Sequence, residues 1–161
     1  MAPWYDRAGR LSLLKLFVFI GLFLPAAWLA GLALTQGLGA RPLNTAIHFA
    51  GLWMVRFLLI TLAITPARKL FRWAPLILIR RMLGVATFAY GLLHLGLYIV
   101  DQNWNLIRVI SEIWLRIYLT IGFVALFGLM LLAITSTDGW VRRLGGKRWQ
   151  ALHRIVSLIA V

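Results

Sequence analysis

The chain has 161 residues, of which 62% are hydrophobic, and its 17 basic side chains outnumber four acidic ones for a net charge of +13. A soluble domain is usually about a quarter charged, whereas this chain is 13% charged. The composition therefore excludes an ordinary soluble domain and predicts an all-α, polytopic bundle of transmembrane helices. The absence of cysteine excludes disulfides, iron–sulfur clusters and thiolate-ligated haem. Because the basic residues cluster at the ends of apolar runs, they indicate membrane topology rather than nucleic-acid binding.

The first two predicted spans lie in the N-terminal half of the chain. Residues 16–34 follow a short basic segment. This apolar run is longer than the core of a cleaved signal peptide, so it is predicted to be a first transmembrane helix that stays in the protein, kinked at Pro25. Residues 35–45 are dense in turn formers and are predicted as a loop. The second span is predicted over residues 46–64. It should end before Pro66, because proline disfavours helical geometry in the residue that precedes it.

The remaining spans follow a strongly basic segment. The third is predicted over residues 82–100 and the fourth over residues 117–134, with residues 106–114 between them as a short amphipathic helix on the membrane surface. A fifth helix should begin near Trp149, and the sequence stops before that helix could cross a bilayer. We therefore expect a single transmembrane domain over residues 1–161, truncated within its fifth span.

The distribution of basic residues predicts the orientation of the helices. Thirteen Lys and Arg residues lie in the N-terminal segment and in the two loops on its side of the membrane, against three in the loops on the opposite side. The excess places the N-terminus in the cytoplasm. Tryptophans fall at the predicted boundaries, as an interfacial aromatic belt requires.

Two histidines are predicted to lie inside spans at different depths. His94 would be about 18 Å from the cytoplasmic end of the third span, and an imidazole so deep is a functional candidate by default. His153 would be about 6 Å into the fifth helix. The two histidines therefore differ in depth by about 12 Å. The two axial nitrogens of one haem iron are only about 4 Å apart, so as iron ligands these residues cannot comfortably share one haem. They are predicted to mark an outer and an inner level.

Each of these assignments has a structural alternative. For His94 the alternative is a hydrogen bond between packed helices, and it explains the residue equally well. For His153 the alternative is stronger, because Arg148 and Arg154 place that part of the helix near water. His48 lies about 3 Å into the second span. The favoured interpretation is an interfacial histidine, and the alternative is an axial ligand or a quinone-binding residue.

Arginine inside or beside a span carries a further prediction. Arg56 lies in the middle of the second span and is expected to face a haem propionate or a quinone oxygen, with snorkelling to the surface as the alternative. For Arg80 and Arg81, topology and propionate binding are equally good interpretations. The aromatic residues of the third span are assigned to packing rather than to a redox path: Phe88, Tyr90 and Tyr98.

Several short motifs occur in a specific order along the chain. They are His48-Phe49-Ala50-Gly51, Ile64-Thr65-Pro66, Arg80-Arg81-Met82-Leu83-Gly84, Leu93-His94-Leu95, Thr135-Ser136-Thr137 and Gly146-Lys147-Arg148-Trp149-Gln150-Ala151-Leu152-His153-Arg154. In this order and spacing they resemble the MsrQ (YedZ) family, haem-binding membrane subunits of the periplasmic methionine sulfoxide reductase system MsrPQ. That family belongs to the ferric-reductase-like transmembrane superfamily. The resemblance covers nearly all of the chain.

The resemblance implies an electron-transfer subunit of the bacterial inner membrane rather than the catalytic subunit of an oxidoreductase complex. Such a subunit takes electrons from the quinone pool or from a flavin donor. It passes them through one or two b-type haems to MsrP, a periplasmic molybdopterin enzyme that repairs oxidised methionine in proteins. The resemblance also implies FMN, without a site, and gives His94 as the outer-haem ligand and His153 as the inner-haem ligand.

The chain departs from the pattern of the superfamily at two positions. Members typically carry paired histidines thirteen or fourteen residues apart on each of two helices. Here Arg81 stands thirteen residues before His94, where the inner haem would have a ligand, and position 166, thirteen residues after His153, lies beyond the given sequence. The second ligand of each haem is therefore open, and His48 is the alternative at the outer haem. Two other functions also stay open: another quinol- or flavin-linked cytochrome b or ferric reductase, and a haem-free membrane scaffold or transporter.

Overall fold

A computed structural model describes residues 12–72 and 74–135. In this part of the chain there are five α-helices, and a short 3-10 turn, Ala74–Leu76, leads into the third. The helices are α1 (Leu13–Leu34), α2 (Pro42–Leu70), α3 (Ile77–Asp101), α4 (Leu106–Leu115) and α5 (Ile117–Thr135). All but α4 are long and apolar enough to cross a membrane. The all-α transmembrane fold class is thus confirmed, while the helix predicted from Trp149 lies outside the described residues.

The ends of the helices follow from local sequence signals. The Ser12 side chain accepts a hydrogen bond from the Lys15 backbone N–H at the start of α1, and the Asn105 side chain accepts one from the Arg108 backbone N–H at the start of α4. Both contacts satisfy an N–H that the helix itself cannot pair. Pro42 begins α2, where its fixed φ angle suits the first turn and its missing N–H costs nothing.

The predicted end of the second helix is wrong. Instead of stopping before Pro66, α2 continues to Leu70, and the Phe71 N–H bonds to the Ala67 carbonyl at 2.9 Å. Proline removes only one ladder donor, and the hydrogen bonds of the turns on either side are sufficient for the helix to continue through it. The same α2 also begins four residues earlier than predicted, at Pro42.

Tyr90 of α3 is bonded into the backbone of α1. Its hydroxyl accepts from the Ala26 N–H at 3.0 Å and donates to the Leu22 carbonyl at 2.8 Å. In an unbroken helix these two backbone groups would bond to each other. The hydroxyl is therefore inserted into the hydrogen-bond ladder of α1 beside Pro25, where proline already removes one donor. Tyr90, assigned above to packing, is a hydrogen-bonded link between two spans.

The most extensive helix pair is α2 with α3, and the core lies between these helices and α1. Its buried apolar members are Leu22, Phe57, Ile64, Ile79, Leu83 and Tyr90. Thr87 is fully buried and donates its hydroxyl proton to the Leu83 carbonyl at 2.9 Å, so its own hydroxyl has a partner. Most other large apolar side chains point outward, as lipid-facing surfaces require.

The short helix predicted over residues 106–114 is confirmed as α4. It packs Val109 inward, while Ile107, Ile110 and Trp114 stay exposed on its other side. We call the end of the bundle where α2 begins, α3 ends and α4 lies the Asp101 end. The distribution of basic residues predicts that this end faces away from the cytoplasm.

Candidate functional site

His94 is held by a backbone carbonyl of the neighbouring helix. Its Nδ1 lies 2.8 Å from the Ile47 carbonyl oxygen of α2. A carbonyl can only accept, so Nδ1 carries the proton, and in the neutral ring Nε2 is the nitrogen with a free lone pair. Within residues 12–72 and 74–135, Nε2 has no hydrogen-bond partner and is not buried. A metal-binding histidine is commonly oriented in this way, with its second nitrogen bonded to a carbonyl.

Gly51 leaves the space that the His94 ring occupies. A Cβ atom at this position would lie 3.0 Å from Nδ1 and 3.1 Å from Cε1 of the ring. Both distances are shorter than ordinary van der Waals contact, so any larger residue would displace the imidazole from α2. Sequence reasoning did not assign a role to Gly51. The only signal was its place in the His48-Phe49-Ala50-Gly51 motif.

His94 borders a cavity of about 560 Å³ at the Asp101 end. Its lining comes from α2, α3, α4 and α5 and from the residues that join them: Asn44, Ile47, His48, His94, Tyr98, Asp101, Gln102, Glu112, Arg116, Tyr118 and Leu119. We call it the His94 cavity. Its volume lies in the range of small-molecule sites. By helix rise, His48 and His94 lie about 9 Å and about 10 Å from their helix ends at the Asp101 end, so both border it at one level.

The α4 helix is bonded to α3 beside this cavity. The Tyr98 hydroxyl donates to Glu112 Oε2 at 2.5 Å, and Arg108 Nε lies 3.7 Å from the other carboxylate oxygen. The Tyr98 hydrogen bond and the nearby arginines lower the pKa of the Glu112 carboxyl, against a smaller opposing effect of desolvation. Glu112 is thus an ionised acceptor that holds α4 in place. Sequence reasoning missed it, because it lies outside every span.

Two of the other predicted site residues, Arg56 and Arg81, do not border the His94 cavity. Arg56 is exposed on α2, and its guanidinium carbon lies 4.8 Å from the centre of the Trp53 ring, a cation–π contact. Arg81 is exposed near the start of α3, at the opposite end of the bundle. His153 lies outside the described residues. The cofactor-binding roles of these three residues stay predictions.

The donor set of the cavity fits an iron porphyrin. In the described part of the chain no group of three or more histidine or carboxylate side chains is arranged to hold a bare metal ion. A porphyrin brings four nitrogen ligands of its own, so a single histidine with a free Nε2 is enough to bind its iron axially. His94 meets that condition. His48, exposed on α2 and bordering the same cavity, is the second imidazole at this level.

Comparison with known proteins gives a consistent family. Residues 50–161 match the ferric reductase like transmembrane component family. The chain is 43% identical over 161 residues to the protein-methionine-sulfoxide reductase heme-binding subunit MsrQ of Herminiimonas arsenicoxydans, which covers 99% of this chain and 74% of that protein. It is 41% identical over 153 residues to the subunit of the same name from Azospira oryzae, with 94% and 66% covered.

A third relative with this name, from Rhodospirillum rubrum, is 44% identical over 157 residues, covering 97% of this chain and 73% of that protein. The chain thus spans about two thirds to three quarters of the length of these relatives. No solved structure matches it. The four long apolar helices and the family model agree on a multi-pass membrane protein. The chain belongs to the ferric reductase like transmembrane component family and, within it, to the MsrQ subunits.

Proposed function

We propose that the chain is a b-type haem subunit that transfers electrons across a bacterial inner membrane. The electrons would come from the quinone pool or a flavin donor and would go to a periplasmic, MsrP-like molybdopterin reductase that repairs oxidised methionine. The observation that carries the proposal is His94, whose Nδ1 is bonded to the Ile47 carbonyl, whose Nε2 has no partner among the described residues, and which borders a cavity of about 560 Å³.

The residues of this chain would bind and orient the haem, which supplies the one-electron chemistry when bound. The Ile47 carbonyl sets the tautomer of His94 and raises the basicity of Nε2 as a ligand. Gly51 lets the ring lie close against α2. Histidine ligation is one of the means by which a protein sets a haem potential.

A visible spectrum of the chain in lipid nanodiscs, with pyridine haemochrome quantitation, tests haem binding. We expect a b-type spectrum in the unsubstituted chain and its loss in His94→Ala. The matched control is Asn44→Ala, which borders the same cavity without an iron-binding side chain and should keep the spectrum. A colourless, folded protein grown with ample haem would contradict the proposal and favour a scaffold or transporter.

Two further measurements address the finer parts of the proposal. His48→Ala tests the second ligand at this level: conversion to a high-spin spectrum would assign that role to His48, and an unchanged spectrum would make it an interfacial residue. Electron delivery to a purified periplasmic methionine sulfoxide reductase tests the recipient. Direct reduction of ferric iron without such delivery would instead indicate a ferric reductase.

A further inference from the structure

Three arginines lie at the Asp101 end, and only one of them borders the His94 cavity. Arg41 borders a separate, smaller cavity of about 310 Å³ with Asp101. Arg108 is 65% exposed and faces Glu112 from the outer side of α4. Arg116 borders the His94 cavity together with the imidazole of His94. A guanidinium beside a candidate iron ligand calls for an account of its partner.

The backbone of Arg116 is held from both sides. It is the C-cap of α4, where its N–H bonds to the Glu112 carbonyl at 3.0 Å. Its own carbonyl accepts from the N–H groups of Leu119 and Thr120 at 2.9 and 3.1 Å, in the first turn of α5. All these bonds belong to the backbone, so they survive a change of side chain. The backbone from which the guanidinium extends is therefore fixed by the junction of two helices.

The guanidinium keeps most of its donors unused. Arg116 Nη1 donates to the Tyr118 hydroxyl at 2.9 Å, and among the described residues no carboxylate lies within ion-pair distance of it. A guanidinium has five N–H donors, and the tyrosine that accepts one of them keeps its own O–H. Arg116 and Tyr118 thus present a group of donors at the edge of the cavity that matches an anion with two oxygen acceptors.

The two acidic residues that border the His94 cavity do not supply this anion. Glu112 interacts electrostatically with Arg116 without reaching ion-pair distance, and its carboxylate already accepts from Tyr98 and faces Arg108. Asp101 accepts from the Gln102 side chain at 3.4 Å, and its cavity with Arg41 lies apart from Arg116. Among the described residues no carboxylate therefore pairs with Arg116, and a porphyrin bound through His94 would bring two.

We propose that Arg116 binds a carboxylate of the porphyrin whose iron is held by His94, with Tyr118 orienting the guanidinium. This inference rests on the proposed function. It gives the carboxylate-binding role to an arginine of the Asp101 end, in place of Arg56, whose guanidinium stacks on Trp53 away from the cavity. A planar fork is required for two parallel hydrogen bonds to a carboxylate, so lysine should replace Arg116 only in part.

The test pairs a change in the protein with a change in the ligand. Binding of iron protoporphyrin IX and of its dimethyl ester to the haem-depleted chain in nanodiscs is measured by absorbance titration. With the unsubstituted chain, the ester should bind about tenfold more weakly, as expected when a charge-assisted hydrogen bond is lost. In Arg116→Gln, the free acid should weaken by a similar factor and the ester should lose nothing further. Arg116→Lys should fall between the two.

Arg108→Gln is the matched control, because it removes an arginine of the same region that does not border the cavity. It should bind both ligands as the unsubstituted chain does. Equal weakening by the ester in the unsubstituted chain and in Arg116→Gln would overturn the inference while haem binding itself stands. No binding of either porphyrin to the unsubstituted chain would overturn the proposed function and the inference together. A circular dichroism melt verifies that each variant is folded.

Discussion

Replacing Tyr90 with phenylalanine tests the link between α1 and α3. The variant loses two hydrogen bonds, from the Ala26 N–H and to the Leu22 carbonyl. These backbone groups can then bond to each other, so the net loss is one hydrogen bond. Such a bond between membrane helices is worth about 0.6 to 2 kcal/mol. Because phenylalanine keeps the ring that contacts Phe57 at 5.1 Å, we expect a destabilisation of about 1 kcal/mol.

The assay is reversible unfolding in mixed micelles, followed by circular dichroism. Spin labels at the exposed positions Leu24 and Val85 report the distance between α1 and α3, and the absence of native cysteine makes the labelling specific. In Tyr90→Phe the distance distribution should broaden. Tyr98→Phe is the control, because it removes a hydroxyl of the same helix that bonds to α4 rather than to α1.

Two results would refute this reasoning. Unchanged stability together with an unchanged distance distribution would mean that the Tyr90 hydroxyl does not hold α1. A loss above about 3 kcal/mol would mean that the Ala26 and Leu22 backbone groups stay unpaired in the variant, as two unsatisfied buried groups would require.

Three further predictions concern the His94 cavity. Gly51→Ala should displace the His94 ring and shift or abolish the haem spectrum, whereas Gly96→Ala, where a Cβ meets nothing within 4 Å, should not. The lowered pKa of Glu112 means that its carboxylate stabilises the protein fully above the ordinary value of 4.5, and that this contribution is lost as the pH falls through the folded-state pKa. Glu112→Gln should therefore flatten the acid side of a Tm profile taken between about pH 6 and pH 3; an unchanged profile would contradict the assignment. Arg56→Gln should leave haem content unchanged, as measured by pyridine haemochrome, and a loss would return the carboxylate-binding role to Arg56.

Local signals were sufficient to predict the helices but not all of their ends. The length of the apolar runs predicted four spans, and the polar residues before Leu106 predicted the residue at which α4 begins. The error at Pro66 has a physical cause: proline removes one hydrogen bond and crowds the preceding residue, but neither effect has to end a helix whose other turns are paired. Boundaries near proline therefore needed the structure as well as the sequence.

The site was only partly predictable, because its geometry depends on contacts between distant segments. His94 was singled out by its depth and by the family resemblance. That its ring rests on Gly51 and bonds to Ile47 requires the pairing of α2 with α3, which no local pattern contains. The contact between Glu112 and Tyr98 likewise depends on how α4 packs against α3, which the sequence around Glu112 does not indicate.

Because His94 of α3 is hydrogen-bonded to Ile47 of α2, the position of the imidazole depends on the register of the two helices along each other. A slide by a single residue moves one helix by about 1.5 Å relative to the other, enough to break a contact of 2.8 Å. Changes elsewhere in the bundle that leave this pair in register should lower stability without altering the ligand. Changes that shift the pair should alter the electronic spectrum even in a protein that is still fully folded.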